Sequence, residues 1–325
     1  MLLIFSLLAC DEPTSCEQLR QELCIEGEFD ARGVHADDDG GWIAGTALSS
    51  VRVLNGSTFE EGGLVVGWDL YGDESWSIEL DDVTAVEADD AGIWVGTSAG
   101  TAFYIQDGQV VEERDLGDAV RDLIVGEHGL VAVTETELIM PWGARWDSSA
   151  FEPHEVALDG DLVLIGGQPK ASFDEVPAGG AAVVALDEDL EMQWVYAREG
   201  QLSGLVAGDA GIFAGGPVDG DLWLDRLSDG ERVGGSAWGQ VGQEGLHQLA
   251  LVDDRLALVG WTLSAEGSVP WLEWRSATGG LQGHDELAPP ELKALPGAVA
   301  FGDEVVLAVE IGVEGDPATS VIRVD

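Results

Sequence analysis

One unit recurs seven times along this 325-residue chain: an apolar strand, a tight Asp/Gly turn, and a more hydrophobic strand usually ending in glycine. The clearest copy is Val83-Thr-Ala-Val-Glu-Ala-Asp-Asp-Ala-Gly-Ile-Trp-Val-Gly96. The others cover residues 34–45, 123–133, 156–166, 205–215, 249–260 and 299–309. Their mean spacing is about 44 residues, within the range of propeller blades. A lone hairpin of this kind cannot bury both faces, so the copies must stack.

After most units a third, alternating strand is predicted: 51–54, 101–106, 182–187, 222–227, 271–275 and 320–324. Turns such as Asn55-Gly56, Asp107-Gly108 and Asp229-Gly230 then lead toward a fourth. The expected fold is an all-β propeller of about seven four-stranded blades. The short third unit and the poorly patterned Trp142–Phe151 leave six or eight open. The last unit runs out after its third strand, and a strand near Ile25–Phe29 is expected to complete it, closing the ring and hiding a sheet edge. Residues 57–82 are too long for one strand, so an added hairpin is expected around Leu64–Leu70 and Ser75–Leu80.

The N-terminus carries a different signal. Residues 2–9 form an apolar run, too short to span a bilayer, that stops at Cys10 before Asp11 and Glu12. Leu7-Leu8-Ala9-Cys10 resembles the bacterial lipobox. That resemblance implies acylation of Cys10 and a bacterial cell-envelope lipoprotein, held to a membrane outside the cytoplasm. No Lys or Arg precedes the run, a departure from the usual signal peptide. The expected organisation is a signal peptide over 1–9, a tether over 10–24 and one propeller domain over 25–325. With Cys10 lipidated, Cys16 and Cys24 become a candidate disulfide. A helix over Glu17–Leu23 would oppose it, because eight helical residues span about 12 Å. The bridge therefore requires the helix to break before Cys24.

The repeats also carry a family likeness. Ala-Asp-Asp-Ala-Gly-Ile-Trp-Val-Gly-Thr-Ser-Ala-Gly, within 83–108, resembles the propeller repeat of two-component regulators, and Gly33–Gly56 matches it loosely. Gly-Asp-Leu-Trp-Leu-Asp-Arg-Leu-Ser-Asp-Gly near 220–230 is more similar to SBBP-type repeats of exported bacterial propellers. Both imply a fold and no particular chemistry.

A formal net charge of −48 makes nucleic acid an unfavourable partner, since phosphate backbones are repelled. High solubility, attraction for basic partners or adaptation to salt all fit that charge. The acids recur at one place, between the first and second strands of the units: Asp38, Asp39, Asp89, Asp90, Asp159, Asp161, Asp209, Asp253, Asp254 and Asp303. Blade symmetry puts them on one face as an acidic ring, though Asp and Gly also belong in such turns for backbone reasons alone. A functional ring of this kind would take a cation such as Ca2+ or a basic partner. No D-x-[DN]-x-[DN]-G loop is present, and no cofactor is predicted.

His35, His128, His154, His247 and His284 form no zinc-hydrolase motif, and no G-x-S-x-G elbow occurs. The expected function is therefore a non-catalytic, rigid platform for an envelope protein or a glycan. The rival is a lyase- or hydrolase-type propeller enzyme with His and Glu converging at the central channel mouth. A lectin-like platform would instead show equivalent exposed tryptophans on several blades.

Overall fold

The structure, a computed structural model, describes residues 23–37, 39–54, 56–89, 91–170, 179–239, 243–252, 255–263, 268–287, 294–301, 305–311 and 317–324. Among the described residues thirty strands form seven antiparallel sheets arranged as a ring, a seven-bladed β-propeller. The seven recurrent units are the first and second strands of the seven blades. The first strands are Phe29–Asp37, Val83–Ala88, Val120–Gly126, Phe151–Asp159, Gly204–Gly208, Gln243–Val252 and Ala294–Phe301. Each touches the first strand of the next blade, and blade 7 touches blade 1.

The glycine that ends the second strand has a packing reason. A Cβ at Gly96 would sit 2.5 Å from Val120 Cγ1, and one at Gly166 would sit 2.7 Å from Leu202 Cδ2. Those glycines are recesses into which the next blade inserts an apolar side chain, so close-packed blades leave no room for even a methyl group.

Closure occurs through the N-terminal strand Leu23–Glu26, slightly earlier than the sequence suggested. It pairs with Ala318–Val324 of blade 7, Leu23 opposite Val321 and Glu26 opposite Ala318. Leu23 and Ile25 are buried in a cluster shared by blades 7 and 1. Each such side chain contributes about 1.5–3 kcal/mol by leaving water. The Gly27 amide donates to the Pro317 carbonyl at 2.7 Å, completing the join.

Blade 1 corrects one expectation. Its third and fourth strands are Gly62–Asp69 and Glu74–Leu80, the segment taken as an added hairpin. The added hairpin is instead Val51–Val53 with Thr58–Phe59, which pairs with Leu23–Glu26 and widens the closing sheet to six strands. Alternation alone does not distinguish the two. What decides is that Gly62–Asp69 offers eight residues to pair with all of Gly40–Ala47. The weakly patterned blade 3 is complete, with short outer strands Glu137–Ile139 and Arg145–Asp147.

Candidate site at the channel mouth

The first strands line the central channel, where seven chains converge and their backbone edges lack further strands to pair with. Six of them carry a β-bulge at the same place, near their start. In blade 1 the register slips between Ala31 and Gly33, leaving Arg32 extra. The same slip isolates Thr84, Arg121, His154, His247 and Gly297 in blades 2, 3, 4, 6 and 7. Blade 5 reaches the position without a bulge inside its strand. There the Ser203 amide donates to the Gly215 carbonyl at 2.9 Å, just before Gly204 enters the ladder.

A bulge re-aims one side chain while its neighbours keep their packing. Val120 fills the recess at Gly96 and Leu202 the one at Gly166, while the next residues, Arg121 and Ser203, turn to the channel. All seven residues at this position line one cavity of about 480 Å3 at the channel mouth. In ring order they read Arg, Thr, Arg, His, Ser, His, Gly. In a chain with 62 acidic and 14 basic residues, no acid stands at this position, and four of its seven residues are Arg or His.

Carboxyl groups flank this ring, and two of them, on Asp122 and Glu155, belong to residues that line the same cavity. Asp122 Oδ2 accepts the Val156 amide of blade 4 at 2.7 Å, and Oδ1 accepts the Leu123 amide at 2.9 Å. Glu87 accepts the Val125 amide of blade 3, and Glu310 accepts the Ala31 amide of blade 1. These carboxyls satisfy first-strand amides of the neighbouring blade that have no strand partner.

Desolvation, opposed by the Val125 amide, raises Glu87 to about 7, and it raises Asp122 to about 7 as well. Desolvation and then the neighbouring Asp122 charge push Glu155 well above the usual carboxylate range. Glu310 rises to about 7 by desolvation and the charge of Asp30. Desolvation lowers both His154 and His247, favouring the neutral imidazole at each. The charge of Arg121 also acts on His154, and that of Arg32 on His247. Arg32 and His247 are two blades apart, and Gly297, between them, has no side chain to separate them. Each arginine also holds one carboxylate, Arg32 with Asp30 and Arg121 with Glu135. A guanidinium has five donors, so both retain capacity for a ligand.

The residues singled out from the sequence lie elsewhere. Asp39, Asp89, Asp159, Asp161 and Asp209 stand at the opposite face, in or beside the turns joining first to second strands. Asp38, Asp90, Asp253, Asp254 and Asp303 lie outside the described residues, as do Cys10 and Cys16. Asp89 has a turn role: its Oδ1 accepts the Ala91 and Gly92 amides at 2.8 and 2.9 Å and the Tyr104 hydroxyl at 2.8 Å. Among the described residues no group of three or more His, Cys, Asp or Glu is placed to hold a metal ion. Cys24 is buried on the closing strand and is disulfide-bonded. Trp142 is 52% exposed, and the other eleven tryptophans are buried or half-buried, so equivalent exposed tryptophans do not recur from blade to blade.

The mouth residues left a trace in the sequence. Aligning the units on Val34, Val86, Leu123, Val156, Leu205, Leu249 and Val299 puts the seven mouth residues in one column, two positions earlier. Neither motif spacing nor composition points to that column; only the repeat does.

No protein-family profile matches this chain, and neither does any curated protein. Solved structures do match. One is the crystal structure of the computationally designed Ika8 protein, at 15% identity and a TM-score of 0.54. The likeness covers 91% of this chain and 98% of that one. At that identity it bears on the fold alone.

Proposed function

We propose that this protein is a non-catalytic lipoprotein of the bacterial cell envelope, anchored through Cys10, whose propeller is a rigid platform with its ligand site at the channel mouth. The single observation that carries the reading is the ring of Arg32, Thr84, Arg121, His154, Ser203 and His247, brought together by equivalent positions on six blades. Guanidinium, imidazole and hydroxyl groups around a recess of this size suit a hydroxyl-rich ligand bearing a carboxylate, such as an acidic glycan. The acidic exterior adds selectivity, because only an anion that fits the mouth gains the two arginines.

The direction of the chain supports the anchoring geometry. Strand Leu23–Glu26 runs antiparallel to Ala318–Val324 and starts at the turn face. A ligand at the mouth would therefore be held on the face opposite Leu23, the first described residue, which suits an anchor attached ahead of it. The test has two arms. Mass spectrometry of envelope-extracted protein should find a diacylglyceryl group on Cys10, and Cys10→Ala should release the protein from membranes. Calorimetry of the full chain should show glucuronate binding at least about tenfold tighter than glucose, with Arg32→Gln/Arg121→Gln removing the difference. Equal binding of both sugars, or an unaffected double variant, overturns the mouth reading.

One observation favours a second reading. His154 and Glu155 both line the mouth, and burial lowers the imidazole while it raises the carboxyl, the opposed shifts an acid–base couple would use. Turnover of an acidic glycan that disappears in His154→Gln, with binding retained, would replace the platform by an enzyme.

A further inference from the structure

The opposite face carries a cavity of about 750 Å3 between blades 3 and 4, away from the mouth. Its floor is apolar: Val131, Met140, Leu158 and Val163 come from the hydrophobic cluster shared by the two blades. Gly126 permits that floor, since a Cβ there would meet Leu158 Cδ1 at 2.7 Å. One wall is the turn Pro141-Trp142-Gly143, which projects beyond the short outer strands of blade 3. Its indole stands edge-on to His128, with ring centroids 6.3 Å apart. The rim is anionic. Glu127, Asp161, Glu188 and Asp189 line it, all exposed, while no Lys or Arg does. None of the four forms an ion pair among the described residues.

We infer that this groove binds a small organic cation, an ammonium group carried on an apolar body. The three parts of the groove select for the same ligand. The floor rewards burial of a hydrocarbon or aromatic body. The exposed indole offers its π-face to a cation. The four carboxylates favour positive charge and repel anions, and the −48 net charge of the chain adds a long-range field of the same sign. A neutral ligand of the same shape gains only the first of these. The volume is that of a small-molecule site, which sets the class of ligand apart from an extended protein surface. This assignment is independent of the mouth, because no residue lines both cavities.

The test is calorimetric titration of the full chain with 2-phenylethylammonium and with neutral 2-phenylethanol at low salt. The ammonium should bind at least about tenfold more tightly, since a cation–π contact and nearby carboxylates together exceed the free energy of one decade. Trp142→Ala should weaken the ammonium about tenfold, and Asp161→Asn/Glu188→Gln should flatten its salt dependence. All three substitutions are at exposed positions, and unchanged thermal unfolding would show that the blades remain intact. Equal affinities for amine and alcohol, or an ammonium affinity unchanged in both variants, overturns the assignment. So does a Lys-Leu-Lys peptide binding more than about tenfold tighter than the amine, which would make the occupant a basic protein segment.

Discussion

The two faces of the disc are built by different means. The mouth is made of residues on or beside the first strands, six of the seven aimed by a bulge, with Arg121 and Ser203 each following a side chain locked into the neighbouring blade. The turn face is made of tight connections, where Asp and Gly serve backbone geometry first and charge second. The difference teaches where this chain can vary. A turn tolerates exchange among turn-forming residues, so its charge can accumulate freely. A mouth residue sits one position from an interblade contact, so its position is fixed by packing even where its chemistry is free. The mouth accordingly holds Arg, Thr, Ser, His and Gly at equivalent places in one rigid frame.

The largest contrast should appear on adding bulk. Gly166→Val puts a branched side chain where even a Cβ meets Leu202 at 2.7 Å, forcing blades 4 and 5 apart beside Ser203. The expected loss is about 3 kcal/mol in denaturant unfolding, the upper range for overpacking. Gly160→Ala, in the turn of the same blade, meets nothing within 4 Å and suffers only from its φ of +58°. That should cost about 1 kcal/mol. Equal losses at the two sites would erase the distinction between a packed mouth and a permissive turn face.

The sequence carried the frame and missed the site for related reasons. Seven strand–turn–strand units are legible because alternation and Asp/Gly turns are local signals, and because one face of each strand must be apolar. Strand partners are not local. Val51–Val53 alternates as well as any third strand, yet it pairs with Leu23–Glu26 and not with its own blade. A bulge is subtler still, because one extra residue changes the aim of a side chain without changing the pattern around it. His154 and His247 read as scattered histidines until register places them on one rim. The acidic turns showed the converse. The turn position of Asp39, Asp89, Asp159, Asp161 and Asp209 was readable, while the actual work of one of them, Asp89 holding its own turn and Tyr104, needed coordinates.

A middle-sized effect separates the faces by pH. Glu87, Asp122 and Glu310 have folded values near 7 against ordinary values of 4.5, 3.8 and 4.5, and Glu155 moves the same way. The folded state holds these protons more tightly than the unfolded chain. Their contribution is therefore complete below about pH 4 and is lost as pH rises through 7. His154 and His247 oppose this, because folding lowers their values, and their contribution is gained as pH rises through the usual histidine range. Four carboxyls outweigh two imidazoles, so unfolding free energy should fall between pH 5 and pH 8.5. Asp122→Asn keeps an oxygen for the Val156 amide and removes the titration. It should recover on the order of 2 kcal/mol at pH 8.5 and nothing at pH 4. Salt separates this from general repulsion among the surface acids, which it screens strongly. A pH slope abolished by 1 M NaCl and untouched by Asp122→Asn would assign the effect to the surface.

The smallest effects belong to the turn face and decide whether its acids act as a set. Asp89 accepts two turn amides and the Tyr104 hydroxyl, so Asp89→Ala should cost about 1–2 kcal/mol through lost hydrogen bonds. Asp209 is exposed at the corresponding place in blade 5, and Asp209→Ala should change stability by less than about 0.5 kcal/mol. The direction of any residual change carries the information. If the turn acids only repel one another, removing the Asp209 charge stabilises slightly at low salt and has no effect at high salt. A bound cation predicts the reverse: Asp209→Ala would lower the melting temperature only when millimolar Ca2+ is present. With turn hydrogen bonds explaining Asp89, the first outcome is expected, read as a melting temperature that Ca2+ leaves unchanged in either protein.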